Sequence, residues 1–213
     1  RLDKQHKLVN QYNNLLVKKG SLKDQSEFYE ELIETKEGFP EGTQYVLENP
    51  DSFPGVLGTI ADVFQVDEKY RDALETGLGD LSHCMISKDR KTALQTLDKA
   101  VAQSAGNLTI IPLKEATDYK TQLMDVPNNQ NVIARASEII KTDKKLKPLA
   151  DYILGDLLIV NNLKKAANDK KLSGWALVDI NGSYAGSDMV IKSRQVSEHG
   201  NLIGRKKKLE IIS

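Results

Sequence analysis

The tetrapeptide Leu78-Gly79-Asp80-Leu81 returns as Leu154-Gly155-Asp156-Leu157. Four matched residues say little alone, but the order of elements around them also matches. Each copy ends an amphipathic segment, turns at its glycine and opens an apolar run that reads as a strand. Each strand leads to an amphipathic helix. A later glycine opens another apolar run in both halves: Gly106 before 108–113, and Gly174 before 175–180. Strand, helix and strand, written twice, predict two related mixed α/β subdomains in one chain. A length of 213 residues is enough to bury cores of that size.

The remaining elements follow from periodicity. Leu8, Tyr12, Leu15, Lys19, Leu22, Ser26, Tyr29 and Ile33 keep a 4-3 spacing, the seam of a coiled coil, which Lys19 and Ser26 interrupt. A surface helix packed on its own domain would show the same pattern. Gly20-Ser21, with Ser21 and Asp24 as a capping box, predicts two helical pieces at 2–19 and 22–36. Gly38, Pro40, Gly42, Pro50 and Pro54 then break regular structure. Tyr70, Ala73, Leu74, Gly77 and Leu78 share one face of a helix over 68–78, with Gly79 as a left-handed C-cap. A strand is expected at 81–87. A helix over 91–104 should turn Ala93, Leu94, Leu97, Ala100 and Val101 inward. A strand at 108–113 and a polar connection at 114–130 follow. The second half predicts helices at 137–140, 144–154 and 162–171 and strands at 157–160 and 175–180. Asn181-Gly182 signals a two-residue hairpin turn. The returning strand ends near Ile191, a polar loop covers 192–203, and a last helix starts near 202. The expected boundaries are an N-terminal arm at 1–37, subdomains at 38–125 and 126–201, and a C-terminal arm from 202 to 213. No initiator Met begins the chain, and both ends read as helical, as in a piece of a longer protein.

Composition narrows the function. Lys plus Arg and Asp plus Glu both count 30, so no global attraction to nucleic acid or anionic membrane is expected, although local basic patches remain. Cys84 is the only cysteine, so no intrachain disulfide forms, in keeping with a reducing compartment. No apolar run approaches the roughly 18 residues of a membrane span. His6, His83 and His199 lack ligand-spaced partners, so no metal site is expected. Gly55-Val-Leu-Gly58 lacks both the GK[ST] ending of a phosphate loop and the third glycine of a dinucleotide fingerprint. Close backbone packing explains that pair better. Ser183 and Ser187 lack a nucleophile setting, and Asp62 with Asp67, or Asp179 with Asp188, read as turn carboxylates. No catalytic residue is assigned, and no small-molecule substrate or cofactor is expected. A small α/β nucleotide-binding enzyme domain is the alternative reading. Basic clusters occur at 141–147, at Lys164 and Lys165, at Lys170 and Lys171, and from Arg205 to Lys208; each could be a solvated face or a phosphate contact.

Residues 53–81 resemble the first block of the hinge domain of structural maintenance of chromosomes (SMC) proteins. The resemblance rests on Gly55, Gly58, Asp62, Tyr70, Ala73, Leu74, Glu75, Leu78 and Gly79. Residues 106–113, 153–167, 175–191 and 200–212 resemble later blocks in the same order. One departure is clear: Lys192, Ser193 and Arg194 stand where the family commonly has a Gly-Gly-Ser step at its dimer seam.

The resemblance implies an α/β hinge without a catalytic centre, the dimerisation module of a bacterial chromosome-organising ATPase. It implies a second hinge as partner, most simply an identical chain, joined by sheet extension between the first subdomain of one copy and the second of the other. ATP and Mg would belong to distant head domains, and the setting would be cytoplasmic, at the nucleoid. Candidate interface residues are Gly186, Met189, Val190 and Ile191 on the last strand, with Leu108 and Ile110 on the opposite edge. Arg205, Lys206, Lys207 and Lys208, with Lys164 and Lys165, are candidates for DNA contact. Gly55, Gly58, Gly79 and Gly155 are assigned structural roles.

Overall fold

The structure is a computed structural model that describes residues 2–194 and 201–213. It divides into two units, 1–37 with 205–213, and 38–204. The first unit opens with α1 (Leu2–Glu34), one unbroken helix. The expected break at Gly20-Ser21 does not occur. Nothing lies within 4 Å of where a Gly20 Cβ would sit. One exposed glycine costs a helix only about 1 kcal/mol, too little to stop a long one.

In the second unit, α2 (Glu41–Glu48) precedes β1 (Val56–Thr59) and α3 (Ile60–Val63). Thr59 caps α3 by accepting the Asp62 N–H. A 3-10 turn at Glu68–Tyr70 leads into α4 (Arg71–Leu78), and another at Gly79–His83 leads to β2 (Met85–Ser87). The strand expected from residue 81 is therefore shorter, and His83 ends a turn rather than lying in a strand. Next come α5 (Arg90–Ala102), β3 (Ile110–Pro112) and α6 (Leu113–Asp118). α6 occupies part of the stretch read as a polar connection.

The second half repeats the plan. β4 (Val132–Arg135) and α7 (Ala136–Ile139) precede a 3-10 turn at Lys144–Leu146, which runs into α8 (Lys147–Leu154). β5 (Leu157–Val160), α9 (Leu163–Ala167) and β6 (Ala176–Asp179) complete the unit, and β7 (Tyr184–Ala185) and β8 (Ile191–Lys192) extend its sheet. The sheets are β1-β2-β3 and β4-β5-β6-β7-β8. In each, the first pair is antiparallel and the second parallel, with a helical crossover between the parallel strands. Both antiparallel pairs slip register at the same place, between Val56 and Gly58 and between Val132 and Ala134. The halves are displaced by a constant 76 positions (56 to 132, 60 to 136, 71 to 147). The offset falls to 73 after the Gly79–His83 turn (87 to 160), because only the first half inserts that turn.

One core serves both sheets. Ile60, Phe64, Leu74 and Ile86 from the first half join Leu149, Leu154, Ile159 and Val178 from the second. Each such side chain contributes about 1.5–3 kcal/mol on burial. Smaller clusters close the far faces, Val46, Phe53 and Met85 on one sheet and Leu158, Val160, Leu172, Trp175 and Leu177 on the other. Leu202 and Ile203, expected to open the C-terminal arm, are buried in the shared core instead.

α5 presents a face other than the one expected. It buries Thr92, Thr96 and Ala100 and leaves Leu94, Leu97 and Val101 exposed. The cause is close approach: a Cβ at Gly55 would lie 3.1 Å from Thr92 Cγ2, so small side chains line the contact. Back in the first unit, α10 (Arg205–Ile212) packs against α1, with Lys208 Nζ 5.4 Å from the Tyr29 ring centroid.

Candidate functional site: two open sheet edges

The second sheet ends in two consecutive hairpins. In the first, Gly182 N–H donates to Asp179 O at 3.0 Å and Asp179 N–H to Ser183 O at 2.9 Å. This is a three-residue turn with Gly182 at φ +83, not the two-residue Asn181-Gly182 turn expected. Asp179 Oδ1 stabilises it by accepting the Asn181 and Ser183 N–H groups. The second hairpin copies the first. Met189 N–H donates to Gly186 O at 3.2 Å and Gly186 N–H to Val190 O at 2.8 Å, while Asp188 Oδ1 accepts the Val190 N–H. The position held by Gly182 is taken here by Met189, at φ +68.

Met189 thus belongs to the turn, Val190 closes it opposite Gly186, and of the expected trio only Ile191 lies in β8. The glycine at 186 meets a local need. A Cβ there would run onto the Asp188 carboxylate and come within 3.1 Å of the Tyr184 ring. The tip is nevertheless apolar and open, with Met189 91% and Ile191 79% exposed. Because 186 and 190 form a hydrogen-bonded pair, the alternating ladder makes 185 and 191 the non-bonded pair. The Ile191 N–H and C=O therefore point to the open side of β8.

The first sheet has its own open edge at β3. Met85 N–H bonds Thr109 O at 2.9 Å. By alternation Ile111 turns its peptide groups toward β2 and Ile110 turns its own outward. The Leu108 side chain, a candidate contact, packs inward near Val46, Phe53 and Met85. Along this edge runs a groove of about 1050 Å³, lined by Ile110, Ile111 and Pro112 and by Leu81, Tyr119, Tyr152 and Ile153. Tyr119 and Tyr152 meet edge to face, 5.3 Å between centroids. Sequence reasoning missed this pair, since Tyr119 lies in the stretch read as a connection.

Lys192 and Arg194 fold back on their own chain. Arg194 Nη1 pairs with Asp72 Oδ2 at 2.9 Å, and Lys192 Nζ lies 5.3 Å from the Tyr184 ring centroid. Burial, and Asp188 nearby, raise the Tyr184 hydroxyl above its ordinary pKa. The segment after them is tied to α4. Asn201 Nδ2 donates to Asp72 Oδ1, and Glu75 accepts the Leu202 and Ile203 N–H groups at 3.0 and 3.2 Å.

The glycines separate by role. Gly55 (φ +89) bonds Lys88 N–H through its carbonyl, and Gly58 (φ +119) sits at the register slip of β1. Gly79, at φ +53 and ψ −130, is outside the left-handed helical region expected of a C-cap. Its repeat counterpart Gly155 has φ −62, and a Cβ there would meet Leu123 Cδ2 at 2.6 Å. One glycine is a backbone requirement and the other a matter of space.

Of the basic candidates, Arg205 is buried and its Nη1 donates to Glu37 O at 2.6 Å, which removes it from phosphate contact. Lys206 is exposed, and Lys207 and Lys208 are half-buried on α10. Lys164 and Lys165 on α9 are exposed, as are Lys170 and Lys171 on the next turn. His199 lies outside the described residues. Cys84 is buried, and burial with Asp80 nearby pushes its thiol up to about 11. No group of three or more His, Cys, Asp or Glu side chains placed to hold a metal occurs among the described residues. No described helix is long and apolar enough to cross a membrane.

The profile described as SMC proteins Flexible Hinge Domain matches residues 53–168. The chromosome partition protein Smc of Halothermothrix orenii is 28% identical over 188 residues, 84% of this chain and 16% of that protein. The Bacillus subtilis protein of the same name is 25% identical over 193 residues, 86% and 16%. The chain therefore spans only 16% of the length of these relatives. An asymmetric dimer of the Geobacillus stearothermophilus SMC hinge domain superposes with a TM-score of 0.79 at 22% identity, covering 100% of this chain and 89% of that one. The Pyrococcus furiosus Smc hinge domain with an extended coiled coil gives 0.62 at 23%, covering 98% and 75%. On the profile match, which takes in more than half of its length, the chain belongs to the SMC hinge-domain family.

Proposed function

We propose that this chain is the dimerisation hinge of an SMC chromosome-organising ATPase, joining two copies at the turn of their long arms. The observation that carries the reading is one chain with two open edges of complementary character. β3 offers outward peptide groups above a groove of mixed polarity that holds Ile110, Ile111, Tyr119 and Tyr152, and β8 offers outward peptide groups beside an exposed apolar tip. In a two-fold pair, β3 of one copy meets β8 of the other, twice. Main-chain hydrogen bonds set the register and the apolar neighbours supply affinity. The pairing of α1 with α10 supports a coiled-coil arm. On this reading ATP, Mg and hydrolysis belong to head domains, and the hinge works in the cytoplasm at the nucleoid without cofactor or substrate of its own. The nucleotide-enzyme alternative is poorly supported. Gly58 is followed by the four-residue α3, and the Asp62 N–H at its start is already taken by the Thr59 hydroxyl.

Sedimentation equilibrium of the 213-residue chain tests the proposal. A dimer is expected at micromolar concentration. Ile191→Pro removes one outward N–H and no internal ladder bond, so the fold should survive while the dimer dissociates. A wild-type chain that stays monomeric would refute the reading.

DNA contact is a second role, favoured by one cluster. Lys164, Lys165, Lys170 and Lys171 are all exposed on adjacent short helices. Binding to duplex DNA should weaken steeply with salt. Replacing these four by Glu should abolish it, and unchanged binding would dismiss the role.

A further inference from the structure

We infer that Met189 is the anchor of the hinge pair, its side chain seated in the groove beside β3 of a second copy, among Tyr119, Tyr152, Leu81 and Ile153. This rests on the pairing proposed above and assigns it a centre.

Two consecutive hairpins use the same three-residue turn, with the same hydrogen bonds and an Asp carboxylate bracing each. The third turn residue needs positive φ, and the first hairpin fills it with Gly182. A glycine takes that conformation freely, whereas a residue with a Cβ does not. The second hairpin nevertheless carries Met189, and holds it 91% exposed. Among the described residues nothing covers the side chain there. A long, unbranched thioether suits an irregular aromatic groove, where sulfur favours ring edges.

The groove is continuous with the β3 edge, since Ile110, Ile111 and Pro112 form one of its walls. An occupant that also pairs with β3 brings an unpaired strand next to a side chain that can enter the groove, as β8 with Met189 does. Both sides also carry both charges. Arg90, Lys120 and Asp156 line the groove, and the hairpin has Asp188 before Met189 and Lys192 after it.

Met189→Gly tests the assignment, because it eases the turn while deleting the side chain. The monomer should melt at the same temperature or higher, yet the dissociation constant of the pair should rise at least tenfold by sedimentation equilibrium. Unchanged affinity would overturn the anchor. A second experiment reads the position directly. Met189→Cys chains mixed with Ile153→Cys chains should form an intermolecular disulfide under mild oxidation, whereas Leu94→Cys chains in place of Ile153→Cys should not. Cys84 adds no background, being buried with a raised thiol pKa. A wild-type dimer without that cross-link would reject the anchor and leave edge pairing standing. A monomeric wild type would remove both.

Discussion

Gln65 and Lys141 exchange both backbone hydrogen bonds, Gln65 N–H to Lys141 O at 3.0 Å and Lys141 N–H to Gln65 O at 2.7 Å. They are equivalent residues of the two halves, separated by the same offset (65 to 141) that relates β1 to β4 and α4 to α8. The bridge therefore joins each half to its own counterpart, as expected on an intramolecular pseudo-two-fold axis. Neighbouring contacts reinforce it: Thr142 Oγ1 donates to Val63 O at 2.8 Å, and Lys141 Nζ pairs with Asp67.

The bridge makes a prediction for hydrogen exchange. One opening event, separation of the halves, releases both amides. Gln65 and Lys141 should then show the same opening free energy, close to that of the whole unit because the shared core must open too. Rapid exchange of one amide beside a protected partner would mean that the halves do not separate as bodies.

The repeat was legible in the sequence through Leu78-Gly79-Asp80-Leu81 and its second copy, but the two glycines do different work. Side-chain patterning reports which elements recur; it does not report φ. That is why Gly79 read as a left-handed cap, and why the turn at 180–182 read as a two-residue one. Hydrophobicity alone also put Leu94, Leu97 and Val101 inside, although the small side chains of Thr92, Thr96 and Ala100 are what let α5 approach the sheet. The open edges fall within runs read as strands, 108–113 and the run ending near Ile191, although only Ile110–Pro112 and Ile191–Lys192 form them. The groove was not, because Tyr119, Tyr152 and Leu81 come from three separate elements that only the fold brings together.

Glu75 is expected to hold the exit of the chain from the hinge core. Its carboxylate accepts two consecutive N–H groups, from Leu202 and Ile203, beside two side chains buried in the shared core. Hydrogen bonds to a charged group contribute about 1.5–3 kcal/mol. Glu75→Ala should destabilise the domain by that order in urea unfolding, and Glu75→Gln, which keeps one acceptor oxygen but turns an NH2 toward the other N–H, should recover at most one of the two bonds. A Glu75→Ala midpoint equal to that of the wild type would show that these bonds do not hold the segment.

Two glycines in helices should respond to alanine with opposite sign. Gly20 in α1 has nothing within 4 Å of the place an alanine methyl would take, so Gly20→Ala should stabilise the helix by about 0.5–1 kcal/mol. Gly42 in α2 is different: a Cβ would sit 2.5 Å from Asn107 O and 2.9 Å from Gly106 O. These are backbone atoms and cannot rotate away, so Gly42→Ala should lower the melting temperature. Circular dichroism melts of the two variants decide it, and a stabilised Gly42→Ala would contradict the contact between α2 and residues 106–107.

Asp89 should make stability depend on acid pH. It caps α5, its Oδ1 accepting the Thr92 N–H at 2.8 Å. That backbone bond is the main cause that holds its carboxyl below the ordinary value of 3.8, and the Thr92 side chain, Lys88 and Lys114 act in the same direction. In the unfolded chain Asp89 regains its ordinary affinity for protons. Between the depressed and the ordinary value, the unfolded state therefore binds more protons than the folded one, and stability rises with pH. The contribution is complete above the ordinary value and is lost as pH falls through the lower, folded one. Asp89→Asn retains an acceptor oxygen but cannot titrate. Urea midpoints followed from about pH 7 down to about pH 2 should fall less steeply at the acid end for Asp89→Asn than for the wild type, and curves that stay parallel throughout would show that the cap makes no charge-dependent contribution.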